Sequence, residues 1–284
     1  MKKNKKRKKI KQQKLSRRRK YKRYPRPKSS RIKEKVRVKS GFKDNFGRMH
    51  QYDELIFPII YHNEKTDKYH AIGTGYFFHS NGGFITAKHV LFDKGKLLTP
   101  CYAIQTLDTG ERIKREIRIF FPHPDADIGV GMLRGQLYQD GKEHLLVSLA
   151  ISLTPPNIGD KISTYAFPKS EIVIEGDAQV GVFQGTWSKG EIKKLVKAGE
   201  HHLLKTDSFE TNMHIAARAS GGPVLRGIQI IGVNSTGWDL VEGEDPVSNI
   251  TPVHEIFDMI IKNGDGSETS VRKLMETGHV QFHK

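Results

Sequence analysis

Short apolar runs rich in β-branched residues, separated by turn residues, dominate the chain from about residue 50 onward. The run 112–121, RIKREIRIFF, alternates apolar and charged residues with a period of two, which is typical of a half-buried strand. Asn81, Gly82 and Gly83 separate two of these runs and favour a hairpin turn. The pattern predicts strands within two groups of segments: 54–61, 70–78, 83–91, 101–107, 112–121 and 127–133, and then 161–167, 171–185, 201–209, 223–226 and 228–237.

The two groups of strands predict an all-β protein built in two halves. Many short strands, frequent turn residues and little helical periodicity favour barrels or sandwiches. Segment 152–160, SLTPPNIGD, lies between the groups and has the composition of a linker. Segment 251–264 has a proline at its start, apolar residues at helical spacing and a closing Asn-Gly, which predicts a helix, and 267–278 is a second short candidate. We therefore expect a helical C-terminal segment over 251–284.

The positive charge of the chain is concentrated in its first 40 residues. Residues 1–40 contain 22 Lys or Arg and one acid, Glu34, whereas residues 41–284 carry a net charge of −4. Because like charges repel and few apolar side chains are present to offset the entropy of ordering, this segment is expected to be disordered. We predict a basic arm over residues 1–45 and a folded domain over residues 46–284.

Several classes of protein and site are disfavoured by what the chain lacks. The N-terminus has no apolar stretch of the roughly 7–15 residues found in secretory signals, and no segment reaches the roughly 18 apolar residues of a membrane span. Cys101 is the only cysteine, so no intramolecular disulfide is expected, and a cytoplasmic location is favoured. The cysteine and histidine spacings contain no zinc pattern, so neither a metal nor another cofactor is expected.

The composition of the basic arm suits anionic partners. Tyr21 and Tyr24 are interleaved with Lys and Arg. Such segments bind nucleic acid phosphates with release of counterions, or adhere to anionic membrane surfaces. A solubilising tail without a fixed partner is the third interpretation. All three roles stay open for residues 1–40.

Two short motifs supply candidates for nucleophilic catalysis. Ser220 in ARASGGPVLR precedes two glycines, which allow a sharp turn and keep side chains away from a substrate carbonyl. His89 in GFITAKHVLFD lies at the end of a predicted strand, which would place its imidazole on a barrel rim. A serine hydrolase needs such a hydroxyl and imidazole, together with an orienting carboxylate and N–H donors for the oxyanion. Taken alone, the serine motif also fits an ordinary turn, and the histidine motif also fits a structural histidine without a catalytic role.

The candidate for the orienting carboxylate is Asp127 in HPDADIGVGML. An apolar strand begins immediately after it, so its carboxylate is expected to be half buried. Asp125, two residues earlier on the same face, is the alternative. The order is His89, Asp127, Ser220, with intervals of 38 and 93 residues.

Taken together, GTGYFF, GFITAKHV, DADIGV, ASGGPVL and IIGVNSTG resemble the trypsin-like, chymotrypsin-fold serine peptidases, and most of all their bacterial, disulfide-free branch. The intervals are close to the roughly 45 and 93 residues of the chymotrypsin template. The resemblance covers about residues 50–262 and leaves out the basic arm. It implies two antiparallel six-stranded β-barrels, at about 50–150 and about 160–250, with a cleft between them that binds a polypeptide substrate.

The resemblance also implies a role for each candidate. His89 would be the general base, Asp127 its orienter and Ser220 the nucleophile, with the N–H groups of Arg218 and Ser220 at the oxyanion positions. The family usually has glycine where this chain has Arg218, so a Cβ there carries a cost if φ is positive. Ala219 replaces the carboxylate that digestive relatives use on activation, so no zymogen activation of that type is expected.

Specificity residues follow from the same resemblance. Ser235 would pair with substrate backbone, and His214 would lie near the base of the primary pocket, where an imidazole favours acidic side chains. A loop histidine that faces water is the alternative, and the acidic loop 239–245 could instead attract basic substrates. One wall of the pocket would consist of four consecutive residues: Asn234, Ser235, Thr236 and Gly237.

The sequence therefore predicts a serine endopeptidase that forms an acyl-enzyme on Ser220 and hydrolyses it with water activated by His89. The alternative is a binding module that keeps the double-barrel fold, has weak or no activity, and acts through its basic arm on nucleic acid or an anionic surface.

Overall fold

The computed structural model describes residues 41–43, 49–79, 81–134, 148–200, 205–237, 246–262, 266–277, 280 and 282–283. The chain divides into two units, Met1–Val38 and Lys39–Lys284. The first unit lies outside the described residues, and with it the predicted disorder of residues 1–40. The predicted arm extended to residue 45, but Gly41–Lys43 form a strand that pairs with Met49–Gln51. Everything that follows concerns the second unit.

Six strands of the first half close into an antiparallel barrel in the order β10-β5-β4-β3-β8-β9. The elements of this half, in chain order, are β1 (Gly41–Lys43), β2 (Met49–Gln51), α1 (Tyr52–Leu55), β3 (Ile56–Asn63), β4 (Lys68–Phe77), β5 (Gly83–Thr86), α2 (Lys88–Leu91), β6 (Phe92–Asp93), β7 (Lys96–Leu97), β8 (Cys101–Thr106), β9 (Arg112–Pro122) and β10 (Gly129–Leu133).

Six strands of the second half form another closed antiparallel ring, β17-β12-β15-β16-β19-β18, in which β18 returns to pair with β17. Two further strands, β11 and β22, extend this sheet beyond β18 in parallel. The elements are β11 (Ala150–Ser152), β12 (Lys161–Ala166), β13 (Glu171–Glu175), β14 (Ala178–Val182), β15 (Thr186–Val196), β16 (Ser208–Thr211), β17 (Pro223–Arg226), β18 (Gln229–Gly237), β19 (Ser248–Pro252), a 3₁₀ turn (Val253–Ile256), β20 (Ile260–Lys262), β21 (Glu268–Ser270), α3 (Val271–Glu276) and β22 (Phe282–His283).

Each barrel has its own apolar interior. The first is filled by aromatic rings, with Phe57 4.8 Å from Phe77 and 5.8 Å from Phe84 between ring centroids, and all three are fully buried. The second is aliphatic and is centred on buried side chains such as Ile192 and Val224. The predicted all-β fold of two six-stranded antiparallel barrels with a C-terminal helix is confirmed, and that helix is α3. None of the helices in the described ranges is long and apolar enough to cross a membrane.

Strand β9 shows how a charged residue occupies the inner face of the first barrel. Arg115 is only 5% exposed, and its guanidinium donates to Gln105 Oε1 at 2.7 Å and to the carbonyl of Arg134 at 2.9 Å. Burial lowers the pKa of Arg115 to about 10. The alternating pattern predicted this strand correctly, but it did not reveal that one of the charged positions faces inward.

The predicted helix over 251–264 is wrong. Residues 251–252 complete β19, because Thr251 and Pro252 pair with Val233 and Gly232 of β18. Only the 3₁₀ turn follows, and then β20 pairs with β21. Here strand pairing in the second barrel overrides the local helical spacing of apolar residues.

Thr74 of β4 joins the first barrel to the second. Its N–H donates to the carbonyl of Ser220 at 2.9 Å, and its hydroxyl donates to the carbonyl of Arg218 at 2.9 Å and accepts from the N–H of Phe167 at 3.2 Å. Its own carbonyl accepts from the Thr86 hydroxyl at 2.7 Å. Because the side chain is fully buried, water does not replace these bonds.

We expect Thr74→Val to lower the free energy of unfolding by about 2 to 4 kcal/mol, since the shape is kept while the Arg218 carbonyl and the Phe167 N–H lose their partner. Denaturant unfolding measures this change. Thr66→Val, at an exposed turn position, is the control and should shift stability by less than about 0.5 kcal/mol. Equal effects of the two substitutions would contradict the role given to Thr74.

Candidate active site

His89 and Asp127 meet at one rim of the first barrel. His89 lies in α2, directly after β5, and Asp127 lies in the connection between β9 and β10. Because β5 and β10 are neighbours, with Thr86 opposite Gly129, both connections leave the barrel at the same end. The His89 Nδ1–H donates to Asp127 Oδ2 at 2.8 Å, and the His89 backbone N–H donates to Oδ1 at 3.0 Å. Asp125, the alternative carboxylate, is exposed.

Ser235 of β18 supplies a third donor to the same carboxylate. Its hydroxyl donates to Asp127 Oδ2 at 2.5 Å, a distance typical of a hydrogen bond to a charged oxygen. Ser235 itself is 1% exposed. A residue of the second barrel therefore fixes the orientation of the carboxylate that orients an imidazole of the first barrel.

The electrostatics of the pair favour an ionised carboxylate. Burial opposes the charge of Asp127, but the hydrogen bond and charge of His89 and the hydrogen bond from Ser235 outweigh it, so the pKa of Asp127 is lowered. Burial likewise opposes the imidazolium of His89, yet the hydrogen bond and charge of Asp127 leave its pKa raised above 6.5. The imidazole is thus a stronger base than a free one, and the His89 side chain is 46% exposed.

Two glycines allow the Ser220 loop to approach the first barrel. A Cβ on Gly221, where φ is +85°, would lie 2.1 Å from Thr86 Oγ1 and 2.2 Å from the Thr74 carbonyl oxygen. A Cβ on Gly73 would lie 3.1 Å from the Ser220 carbonyl oxygen, and also 2.5 Å from the Val90 side chain of α2. The sequence motifs GTG and SGG contain these two glycines. Their physical basis is that a residue without a Cβ lets one backbone approach another closely.

The Ser220 hydroxyl donates to the carbonyl of Ser235 at 3.0 Å. Among the described residues it makes no hydrogen bond to His89. Ser235 therefore links the three predicted triad members, because it contacts Asp127 through its hydroxyl and Ser220 through its carbonyl. The structure brings the three residues into one hydrogen-bonded network, with the serine side chain in a resting orientation.

The predicted oxyanion positions are the N–H groups of Arg218 and Ser220. Arg218 has φ +67°, the left-handed conformation that was expected to be costly for a side chain with a Cβ, and it is held there by the Thr74 bond to its carbonyl. Among the described residues, the N–H groups of Arg218 and Ser220 have no acceptor. Thr74, which no sequence motif singled out as functional, thus supports both ends of the loop.

The proposed pocket residues differ in what their side chains do. Asn234 is fully buried and donates to Thr164 Oγ1 and to the Ala219 carbonyl, so it supports the loop from beneath and does not face a substrate. This corrects its predicted place on the pocket wall, and the reason is the inward face of the strand. Thr236 is half buried and borders open space, as described below.

The base of the predicted pocket lies beside the end of β18. A Cβ on Gly237 would lie 2.1 Å from the Ile215 carbonyl oxygen, and the Ile215 N–H donates to Ser248 Oγ at 3.3 Å. His214 is half buried, and its Nδ1 is buried without a hydrogen-bond partner among the described residues. The acidic loop 239–245 lies outside them.

A cavity of about 360 Å³ opens beside the imidazole. It is bounded by His89, Phe92, Asp125, Ser235 and Thr236, among others. In the described part of the chain, no group of three or more His, Cys, Asp or Glu side chains is arranged to hold a metal ion. The groups that the hydrogen-bonded network brings together are a hydroxyl, an imidazole and a carboxylate.

The fold consists of two closed six-stranded antiparallel barrels, with His89 and Asp127 on the first and the Ser220 loop on the second. It is the double-barrel fold of the trypsin-like peptidases that the sequence resembles. No protein-family model matches the sequence, and no curated protein matches it. Among solved structures, the chain is similar in fold to the active form of the Rv3671c protease from M. tuberculosis, at 13% identity over 82% of this chain and 84% of that one, with a TM-score of 0.49. It is also similar to Deg5, at 20% identity over 71% and 84%, with a TM-score of 0.47.

We expect Gly221→Ala to destabilise the protein by about 1 to 3 kcal/mol more than Gly227→Ala, because forced overpacking adds to the strain of a positive φ. Gly227 is the matched control, since it has φ +65° but nothing within 4 Å of an added Cβ. Thermal unfolding of both variants checks the difference. Equal losses would show that the two barrels do not restrict residue 221.

Proposed function

We propose that this protein is a serine endopeptidase in which Ser220 is the nucleophile, His89 the general base and Asp127 the orienting carboxylate. The observation that carries the proposal is the hydrogen-bonded connection from His89 through Asp127 and Ser235 to Ser220, which spans both barrels. The cavity beside the imidazole also supports it, because residues of both barrels line that cavity.

In the proposed reaction, the Ser220 hydroxyl turns from the Ser235 carbonyl toward His89 Nε2, a change between staggered rotamers. Its oxygen attacks the carbonyl carbon of a peptide bond while Nε2 takes the proton, and the N–H groups of Arg218 and Ser220 bind the oxyanion. The C–N bond then breaks as the imidazolium gives its proton to the departing amine. A water molecule then attacks the acyl carbon while His89 takes its proton. The ester bond to the Ser220 oxygen breaks, the imidazolium returns the proton to that oxygen, and the acid product leaves.

Each step depends on the electrostatics of the pair. Nδ1 keeps its proton on the Asp127 side, which leaves Nε2 as the acceptor. The lowered pKa of Asp127 keeps its carboxylate charged when the imidazolium forms. The polypeptide as substrate class follows from the fold and the resemblance, and its sequence preference is left open.

We expect Ser220→Ala to abolish labelling by a fluorophosphonate probe and to reduce peptide hydrolysis by about 10⁶-fold, because the bond-forming oxygen is lost. Stability should change by only about 1 kcal/mol, since one hydrogen bond to the Ser235 carbonyl disappears. Ser188→Ala in β15 is the control and should label like the wild type. Undiminished labelling of Ser220→Ala would reject the assignment, and a folded wild type that does not label would favour the alternative of an inactive binding module.

A second test concerns the carboxylate and pH. Asp127→Asn should lower kcat/KM by about 10⁴-fold, whereas Asp125→Asn should leave it almost unchanged at about pH 8. In the wild type, kcat/KM should rise with pH through the folded pKa of His89, above 6.5, because only the neutral imidazole accepts a proton. The raised pKa of His89 also affects stability. The interaction of the protonated imidazole with Asp127 stabilises the fold fully below pH 6.5, and this contribution is lost as the pH rises through the pKa of His89 in the folded protein. A larger loss from Asp125→Asn than from Asp127→Asn would overturn the assignment.

A further inference from the structure

The turn that carries Asp127 is built around the imidazole of His123. The backbone N–H of His123 donates to the Ile128 carbonyl at 2.9 Å, which closes the turn. Inside it, His123 Nδ1 accepts from the N–H of Ala126 at 2.8 Å and from the N–H of Asp125 at 3.2 Å. Asp127 is the next residue, so the side chain of His123 fixes the backbone from which the carboxylate projects.

A cation ties this turn to the helix that bears the base. Lys88 directly precedes His89 in α2, and its ammonium donates to the carbonyl of His123 at 2.7 Å and to that of Pro124 at 2.8 Å. Lys88 and His123 together form what we call the turn clamp. The turn clamp therefore holds the backbone next to His89 and next to Asp127, whose Nδ1 and Oδ2 atoms lie 2.8 Å apart.

The clamp requires one protonation state of His123. An imidazole nitrogen that accepts two N–H bonds must carry a lone pair, so the proton of the neutral ring lies on Nε2. Nε2 is 3.9 Å from Glu255 Oε2 of the 3₁₀ turn. A proton on Nδ1 would point at the two backbone N–H groups, and both hydrogen bonds would be lost.

From this geometry we propose that His123 is a positioning residue for Asp127, and that protonation of His123 disengages the carboxylate from His89 and switches the active site off. The proposal rests on the function proposed above, in which the His89–Asp127 pair is catalytic. It adds a second proton-sensitive group that does not touch the substrate.

Burial and Lys88 favour the neutral ring of His123, and Asp125 opposes them. Burial is the largest effect and lowers the pKa of His123, Asp125 of the same turn raises it, and Lys88 of α2 lowers it. On the side of the 3₁₀ turn, Glu255 faces Nε2, and its own pKa is raised by burial and by Asp207.

Because the pKa of His123 is lowered overall, the switch acts as the pH falls. The neutral ring supports the turn at pH values above its ordinary 6.5, and this support is lost as pH falls through the lower folded pKa. His89 protonates at higher pH than His123, because its pKa is shifted the other way. In the wild type, log(kcat/KM) should therefore fall with a slope of about one below the first pKa and about two below the second.

The experiment compares full-length wild type, His123→Ala, His123→Asn and the control His62→Asn. His62 is paired with Asp67 at 2.8 Å on the hairpin of β3 and β4, away from the turn. We expect His123→Ala to lower the rate of fluorophosphonate labelling by about tenfold to a hundredfold, the usual result of misplacing a catalytic group. An asparagine side-chain oxygen accepts from backbone N–H groups two or three residues on and gains no proton, so His123→Asn should restore most of the rate and keep the slope at about one.

A measurement on His89 itself separates this proposal from the proposed function. NMR titration of the His89 imidazole needs no turnover, and in His123→Ala its pKa should fall toward 6.5 because Asp127 is displaced, while His123→Asn and His62→Asn keep the wild-type value. The positioning role would be overturned if His123→Ala kept the wild-type labelling rate, the wild-type slope of log(kcat/KM) against pH and the wild-type pKa of His89. Should that variant fail to fold, a slope of about two that persists in His123→Asn would overturn it equally. If the wild type does not label but the titration shifts as expected, the peptidase assignment fails and the positioning role stands.

Discussion

The buried hydrogen bonds of Thr74 are the constraint on which the candidate site depends. One side chain and one N–H of the first barrel hold the Arg218 and Ser220 carbonyls of the second, and glycine at 73 and 221 lets the two backbones come that close. A nucleophile on one barrel can react with a base on the other only if the two barrels keep a fixed relative position. Thr74 fixes this position at the loop where the chemistry would occur.

A second device holds the carboxylate. Asp127 accepts from His89 of its own barrel and from Ser235 of the other, and the turn clamp of Lys88 and His123 fixes the backbone behind it. The carboxylate is therefore oriented from both barrels, although its own strand connection belongs to one. This arrangement explains why its pKa is lowered despite burial.

Sequence patterns predicted the two groups of strands and the candidates His89, Asp127 and Ser220, but they did not reveal the contacts that hold the site together. Period-two alternation predicted β9, and the apolar strand after Asp127 distinguished it from Asp125, because both are local properties. Asn234 was assigned to a pocket wall since strand position alone does not say which face is inward. Segment 251–264 was predicted as a helix because its apolar spacing is helical, whereas pairing with β18 decides its structure. Thr74 and His123 act through partners distant in the chain or through ring nitrogens. The motif GTG contains Thr74 but does not reveal its hydrogen bonds, and no local pattern marks His123 as the residue that holds the turn.

The resting orientation of Ser220 has a consequence for the kind of molecule that would be cut. Its hydroxyl is held by the Ser235 carbonyl, at a net energy of about 1 kcal/mol, or roughly a fivefold penalty on attack. An extended peptide whose own N–H pairs with that carbonyl would displace the hydroxyl and free it to turn toward His89. A small compound with no such N–H, a fluorophosphonate included, reacts only after the hydroxyl has left that carbonyl, so the roughly fivefold penalty remains. Under the proposed function, a main chain would therefore promote its own cleavage, whereas small reactive compounds would react more slowly but would still react.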